Sequence, residues 1–67
     1  MENNIAQTFK SVRLARKESQ AKFASILGRS RVSISNYETG KAQPGADIYE
    51  KVLQLRELLF PEKEKEQ

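Results

Sequence analysis

Ser19-Gln20-Ala21-Lys22-Phe23-Ala24-Ser25-Ile26-Leu27-Gly28-Arg29-Ser30-Arg31-Val32-Ser33-Ile34-Ser35-Asn36-Tyr37-Glu38-Thr39-Gly40 reads as two helices of about two turns each, and the punctuation between them decides the fold. Ser19 and Ser30 each stand where a side-chain oxygen can cap the free N–H groups of a helix start. Gly28 and Gly40 each follow an apolar stripe, where a left-handed residue closes a helix without a Cβ clash. Ala21, Phe23, Ala24 and Leu27 form the buried stripe of the first helix, predicted over Gln20–Leu27. Ile34 and Tyr37 are the inward pair of the second, predicted from Arg31 to about Thr39. The Val32-Ser33-Ile34 alternation would suit a strand, but Ser30 and Gly40 bracket it as helix. Joined around Gly28-Arg29-Ser30, the pair makes a tight helix–turn–helix. That motif lays the second helix across the first and lets its N-terminal residues project from the surface.

Working outward, Ile5, Phe9 and Val12 repeat at i, i+4, i+7 and predict a helix from about Ile5 to Lys17, with Asn3 or Asn4 as its cap. On the other side, Lys41-Ala42-Gln43-Pro44-Gly45 is a turn in which Pro forbids simple continuation. Asp47 can cap a last helix in which Ile48, Val52, Leu55 and Leu59 face the core, and Pro61 ends it. Tyr49, Leu53 and Phe60 form a second, offset stripe that either widens the core face or meets a partner. Residues 61–67 carry no large apolar side chain and are expected to be a charged, disordered tail to a single domain over residues 1–60. The expected architecture is all-α, a compact bundle of four to five helices with no strand, no internal repeat and no Gly-rich phosphate loop.

Composition removes whole classes of chemistry. The 67 residues include no Cys and no His. Soft and imidazole ligands for zinc, copper, haem or iron–sulfur clusters are therefore missing, as are a thiol nucleophile and a histidine base. No cofactor and no metal are expected, and no disulfide can form. The opening Met1-Glu2-Asn3-Asn4 lacks the basic segment and long apolar run expected of a signal peptide, and the longest apolar run, Leu58-Leu59-Phe60, is far short of the about 20 residues of a membrane span. A cytoplasmic, soluble protein is the expectation. The length also lies below the roughly 70–80 residues at which a monomeric core becomes comfortable, so a dimer is expected.

The formal charge of +3 is unevenly spread. Residues 1–46 hold eight basic and three acidic side chains, a surplus of +5, whereas residues 47–67 hold four and six, a balance of −2. A basic module suggests a polyanion partner, because Lys and Arg neutralise phosphates and release counterions. The helix–turn–helix supplies a geometry for it, since the second helix of such a pair fits the DNA major groove.

At these residues the chain resembles a known family. Gln20-Ala21-Lys22-Phe23-Ala24, Leu27-Gly28, Ser30-Arg31, Ile34-Ser35, Glu38-Thr39-Gly40-Lys41 and Pro44 fall at the spacing of the XRE family, the helix-turn-helix of lambdoid phage repressors and Cro proteins, as does Arg13 seven residues before Gln20. The resemblance spans about residues 9–44 and implies a lambda repressor-like DNA-binding domain. By that likeness Arg31, Val32, Ser33 and Asn36 take base-facing positions. Arg31 would pair with guanine, Val32 would meet a thymine methyl, and Asn36 would read adenine. Ser19, Gln20, Ser30, Ser35, Thr39 and Lys41 take phosphate-facing positions, and Lys22 is assigned with them. Arg13 and Glu38 match an ion pair that ties the first helix to the end of the third.

The chain also departs from the family's pattern. Glu18 and Arg29 stand where many members carry an apolar residue, and Lys22 replaces the acidic residue that would complete a capping box with Ser19. Neither Glu18 nor Arg29 receives a role from the sequence. One long last helix replaces the family's usual two, and a symmetric dimer through Tyr49, Leu53, Leu58 and Phe60 is expected. The implied function is a sequence-specific double-stranded DNA-binding transcriptional regulator, a bacterial or phage repressor on an inverted-repeat operator. The alternative is an antitoxin-type module whose last helix holds a protein partner while the helix-turn-helix binds its own operator. An enzyme has no comparable support, because the carboxylates are scattered and Glu38 has a structural explanation.

Overall fold

The computed structural model describes residues 4–59 and places them in four helices: α1 (Asn4–Ala15), α2 (Gln20–Leu27), α3 (Arg31–Thr39) and α4 (Ala46–Leu59). No strand occurs among them. Helix α3 packs against both α2 and α1, and α4 packs against α1. The expected Asn3 cap, Phe60, Pro61 and the 61–67 tail lie outside the described residues.

The bounds of α2 and α3 follow from their caps. Ser19 Oγ accepts from the Lys22 N–H at 3.1 Å, and Ser30 Oγ accepts from the Ser33 N–H at 3.1 Å. At the other ends Gly28 (φ 73°) and Gly40 (φ 83°) are left-handed. The N–H of each Gly and of the residue after it returns to carbonyls in the last turn: Arg29 to Ala24 and Lys41 to Asn36, both at 2.9 Å.

Two boundaries differ from expectation. Helix α1 stops at Ala15 rather than Lys17 because Lys17 itself is left-handed (φ 59°). Its N–H bonds the Leu14 carbonyl at 2.9 Å and the Glu18 N–H bonds Arg13 at 3.1 Å, the same closure that the two glycines make. Asp47 is not the cap of α4, which begins one residue earlier at Ala46. The Gly45 carbonyl accepts the first helical bond, from the Tyr49 N–H at 3.0 Å, and the Asp47 carboxylate bonds the Ile48 N–H at 2.9 Å inside the first turn. A negative charge there still opposes the positive end of the helix dipole. Similarly, α1 starts at Asn4, so Asn4 is a helical residue and not its cap.

The core consists of Phe9 and Val12 from α1, Phe23, Ala24 and Leu27 from α2, Ile34 from α3, and Ile48 and Val52 from α4. Ile5, Tyr37, Tyr49, Leu55 and Leu59 are partly buried against it. Ala21, expected in the α2 stripe, is exposed. Phe9 is the hub. Its ring lies 6.3 Å from Phe23 in an edge-to-face arrangement, 5.3 Å from Tyr37, and 6.3 Å from Tyr49 with the planes nearly parallel at 11°. One side chain of α1 thus meets an aromatic ring from each of the other three helices. Tyr49, assigned from its spacing to a partner face, is instead a half-buried wall of this cluster.

Candidate nucleic-acid interface

Helix α3 is held by its inward face. Ile34 is fully buried and Tyr37 rests on Phe9, so at 100° per residue Val32 and Asn36 lie 160–200° from Ile34, on the side away from the core. Val32 is 58% exposed although it is an aliphatic residue on a helix with only one buried side chain. Arg31, the first residue of the helix, is exposed beside it, while Ser33, Ser35 and Asn36 are half-buried. Arg31, Val32, Ser33 and Asn36 therefore occupy the first two turns of a helix whose start is fixed by the Ser30 cap and the left-handed Gly28. A short polar and aliphatic ridge of this kind can present hydrogen-bond donors and methyl groups to base edges.

The opposite end of α3 meets the end of α1 and the start of α2 through one carboxylate. Glu38, whose side chain is only 4% exposed, accepts from Arg13 Nε at 2.7 Å on Oε2 and from Arg13 Nη2 at 3.1 Å on Oε1. Gln20 Nε2 donates to the same Oε1 at 3.1 Å. Arg13 uses its remaining reach to donate from Nη1 to the Glu18 carbonyl at 3.1 Å. The hydrogen bonds to Glu38 hold the Arg13 guanidinium above its ordinary pKa, against the opposing effect of burial. One side-chain cluster thus ties three helix ends together, and it fixes which edge of the Gln20 amide faces inward.

Glu18 acquires a role that its spacing concealed. Its carboxylate takes a second two-point contact, from Arg16 Nε at 2.9 Å and Nη2 at 3.0 Å. Those bonds likewise raise the Arg16 pKa, burial again opposing. The slot that usually holds an apolar residue is filled here by a paired carboxylate, only 13% exposed, whose charge is met by its neighbour two residues back. Only the adjacency of Arg16 and Glu18 could have signalled it.

The hydroxyls assigned to phosphate are partly occupied within the protein. Ser19 and Ser30 cap their helices, and Ser30 Oγ also donates to Ser33 Oγ at 3.1 Å. Thr39 Oγ1 donates back to the Ser35 carbonyl at 2.9 Å and the Asn36 carbonyl at 3.3 Å, so its proton is directed into α3. Lys22 in the first turn of α2, Lys41 just past α3 and Arg29 on the turn are all exposed. Lys22 and Lys41 leave helix ends that the Glu38 cluster gathers together, whereas Arg29 stands at the other end, beside the Ser30 cap. In that region both described carboxylates, Glu18 and Glu38, are taken up by arginines. The surrounding lysines therefore give a surplus of positive charge suited to a polyanion.

The four residues expected to make a dimer contact do not form one patch. Leu58 is nine residues from Tyr49 and five from Leu53, which places it 140–180° around α4 from both. Leu58 is 78% exposed, Leu53 is half-buried, Tyr49 stacks on Phe9, and Phe60 lies outside the described residues. Leu14 on α1, at 55% exposure, is a further apolar side chain turned away from the core.

Among the described residues no group of three or more Asp, Glu, His or Cys side chains could hold a metal ion, and no helix is long and apolar enough to cross a membrane. A helix-turn-helix family model matches residues 9–55, well over half of the chain. No curated protein and no solved structure matches.

Proposed function

The chain belongs to the XRE family of helix-turn-helix proteins and is a DNA-binding regulator of that type; from this premise we propose that it is a sequence-specific repressor that occupies an inverted-repeat operator as a dimer. The observation that carries the proposal is the outward ridge of α3. An aliphatic Val32 at 58% exposure between an exposed Arg31 and a half-buried Asn36 has no internal partner and matches the chemistry of a major-groove edge. Arg31, Val32, Ser33 and Asn36 read bases, while Gln20, Lys22, Lys41 and the Ser19, Ser30 and Ser35 region track the phosphates. Thr39 contributes through its place in the last turn of α3, since its hydroxyl proton stays within the helix.

The dimer is supported by the exposure of Leu58 near the end of α4 and by the small size of the core. Two copies related by a two-fold axis would set their α3 helices roughly 34–36 Å apart, one turn of DNA. Repression then follows by occlusion of a promoter, in the cytoplasm of a bacterium, without cofactor or metal. The exposed Leu14 on α1 favours as a second reading an antitoxin-type protein contact; stoichiometric co-purification of another protein from the native host would select it.

Selection of duplexes from a randomised pool, followed by sedimentation on the selected site, tests the proposal. An enriched inverted repeat that binds two chains is the expected result. Failure to enrich any sequence refutes base reading, and one chain per duplex refutes the dimer.

A further inference from the structure

We infer that Lys17 is a phosphate-contacting residue, retained in a strained left-handed conformation because its ammonium group binds the DNA backbone. The inference rests on the DNA-binding reading above and extends it to a residue that the sequence had placed inside a helix. Three helix ends in this protein close in the same way, with a left-handed residue whose N–H and following N–H return to the last turn. Two of them use glycine, Gly28 and Gly40. The third uses Lys17, the only non-glycine residue with positive φ among the described residues. A side chain at such a position crowds its own backbone, and glycine would relieve it. Unfavourable backbone geometry that persists is a pointer to function when the side chain has something to do.

The surroundings of Lys17 say what that is. It is exposed and makes no ion pair among the described residues. The adjacent carboxylate, Glu18, is held by Nε and Nη2 of Arg16, and Glu38 is held by Arg13 and Gln20. The Lys17 charge is thus left without a counter-ion at the junction of α1, α2 and α3. It stands two residues before the Ser19 cap and three before Gln20, and the carbonyl of the next residue, Glu18, accepts from Arg13 at 3.1 Å, which ties this stretch to the Glu38 cluster. The left-handed turn ends α1 at this point, and the lysine is exposed there.

The inference separates stability from binding, so one set of variants tests it. Lys17→Gly relieves the backbone and removes the charge. Lys17→Asn removes the charge while keeping a residue that tolerates the left-handed region, and Lys17→Arg keeps the charge. Affinity for a fluorescently labelled mixed-sequence DNA duplex is measured against salt concentration, alongside thermal unfolding. Lys17→Gly is expected to melt several degrees higher and yet bind more weakly. The slope of log affinity on log salt becomes shallower by about 0.9 per bound chain, so the loss of affinity between 50 and 200 mM salt shrinks about 3.5-fold. Lys17→Asn follows the same binding curve, Lys17→Arg keeps the parental slope, and Lys51→Ala on α4 leaves it unchanged. A parental slope in Lys17→Gly and Lys17→Asn, with a flattened slope in Lys41→Ala, overturns the role of Lys17 and leaves DNA binding standing. A parent chain that shows no salt-dependent binding to the duplex overturns both.

Discussion

Replacing Glu38 with Ala should be among the most damaging single changes this protein can suffer. The carboxylate receives three charge-assisted or amide hydrogen bonds, two from Arg13 and one from Gln20, within a side chain that is 4% exposed. Its removal strands a guanidinium that is itself only 13% exposed. Breaking such a pair from one side costs about 3–5 kcal/mol, and the shallow position near the surface argues for the lower value, ~3 kcal/mol. A domain of 67 residues at roughly 0.05–0.15 kcal/mol per residue has about 3–10 kcal/mol in total. The variant should therefore melt at least about 12 °C lower, or fail to fold at all. Helical circular dichroism followed through urea and heat measures the loss. Glu38→Gln keeps the shape and an acceptor oxygen, so it should lose less. The double variant Arg13→Met, Glu38→Leu should be more stable than Glu38→Ala, because neither charge is left stranded. The reasoning fails if the losses of Arg13→Met and Glu38→Leu simply add, with a coupling below about 0.5 kcal/mol, since the pair would then be two independent surface residues.

Arg31→Ala should cost about 1–3 kcal/mol on the selected operator and relax preference at one base pair, as read by competition between single-base operator variants. Equal loss on every sequence would assign Arg31 to a phosphate. Lys41→Ala should weaken all duplexes alike and make the salt slope shallower by about 0.9 per chain in a titration, whereas an unchanged slope removes Lys41 from the backbone contacts. Phe9→Ala, which empties a fully buried site lined by three aromatic rings, should destabilise by about 3–5 kcal/mol in urea unfolding. A loss below about 1 kcal/mol would mean that the rings close over the gap.

The parts of the fold that were legible in the sequence are those whose ends carry their own chemistry. Ser19 with Gly28 and Ser30 with Gly40 bracket α2 and α3, because a hydroxyl at one end and a left-handed glycine at the other satisfy the free backbone groups locally. Helix α1 overran in the prediction because its terminator is a lysine, a residue type that carries no such signal. Helix α4 began a residue early because a carbonyl, that of Gly45, made the first bond, and every residue has a carbonyl. The Arg13–Glu38 pair came from the family resemblance. The third partner, Gln20, depends on how three helix ends converge, which no spacing states. Tyr49 was misplaced for a related reason. Periodicity locates the Cα on the rim of the α4 apolar face, whereas a long aromatic side chain can reach across the rim to stack on Phe9.

That Phe9 touches a ring from every other helix has a consequence for how the molecule comes apart. Phe23, Tyr37 and Tyr49 share no backbone element, so the aromatic wedge is the joint property of all four helices. Loosening any one of them uncovers the same side chain and weakens the grip of the others. Local opening therefore brings little relief short of global opening, and the expectation is a single cooperative unit in which buried amides of α1, α2, α3 and α4 exchange with solvent through one common event. Helix α3 consequently owes the order of its exposed edge in part to Phe9, a side chain of the first helix packed directly behind it.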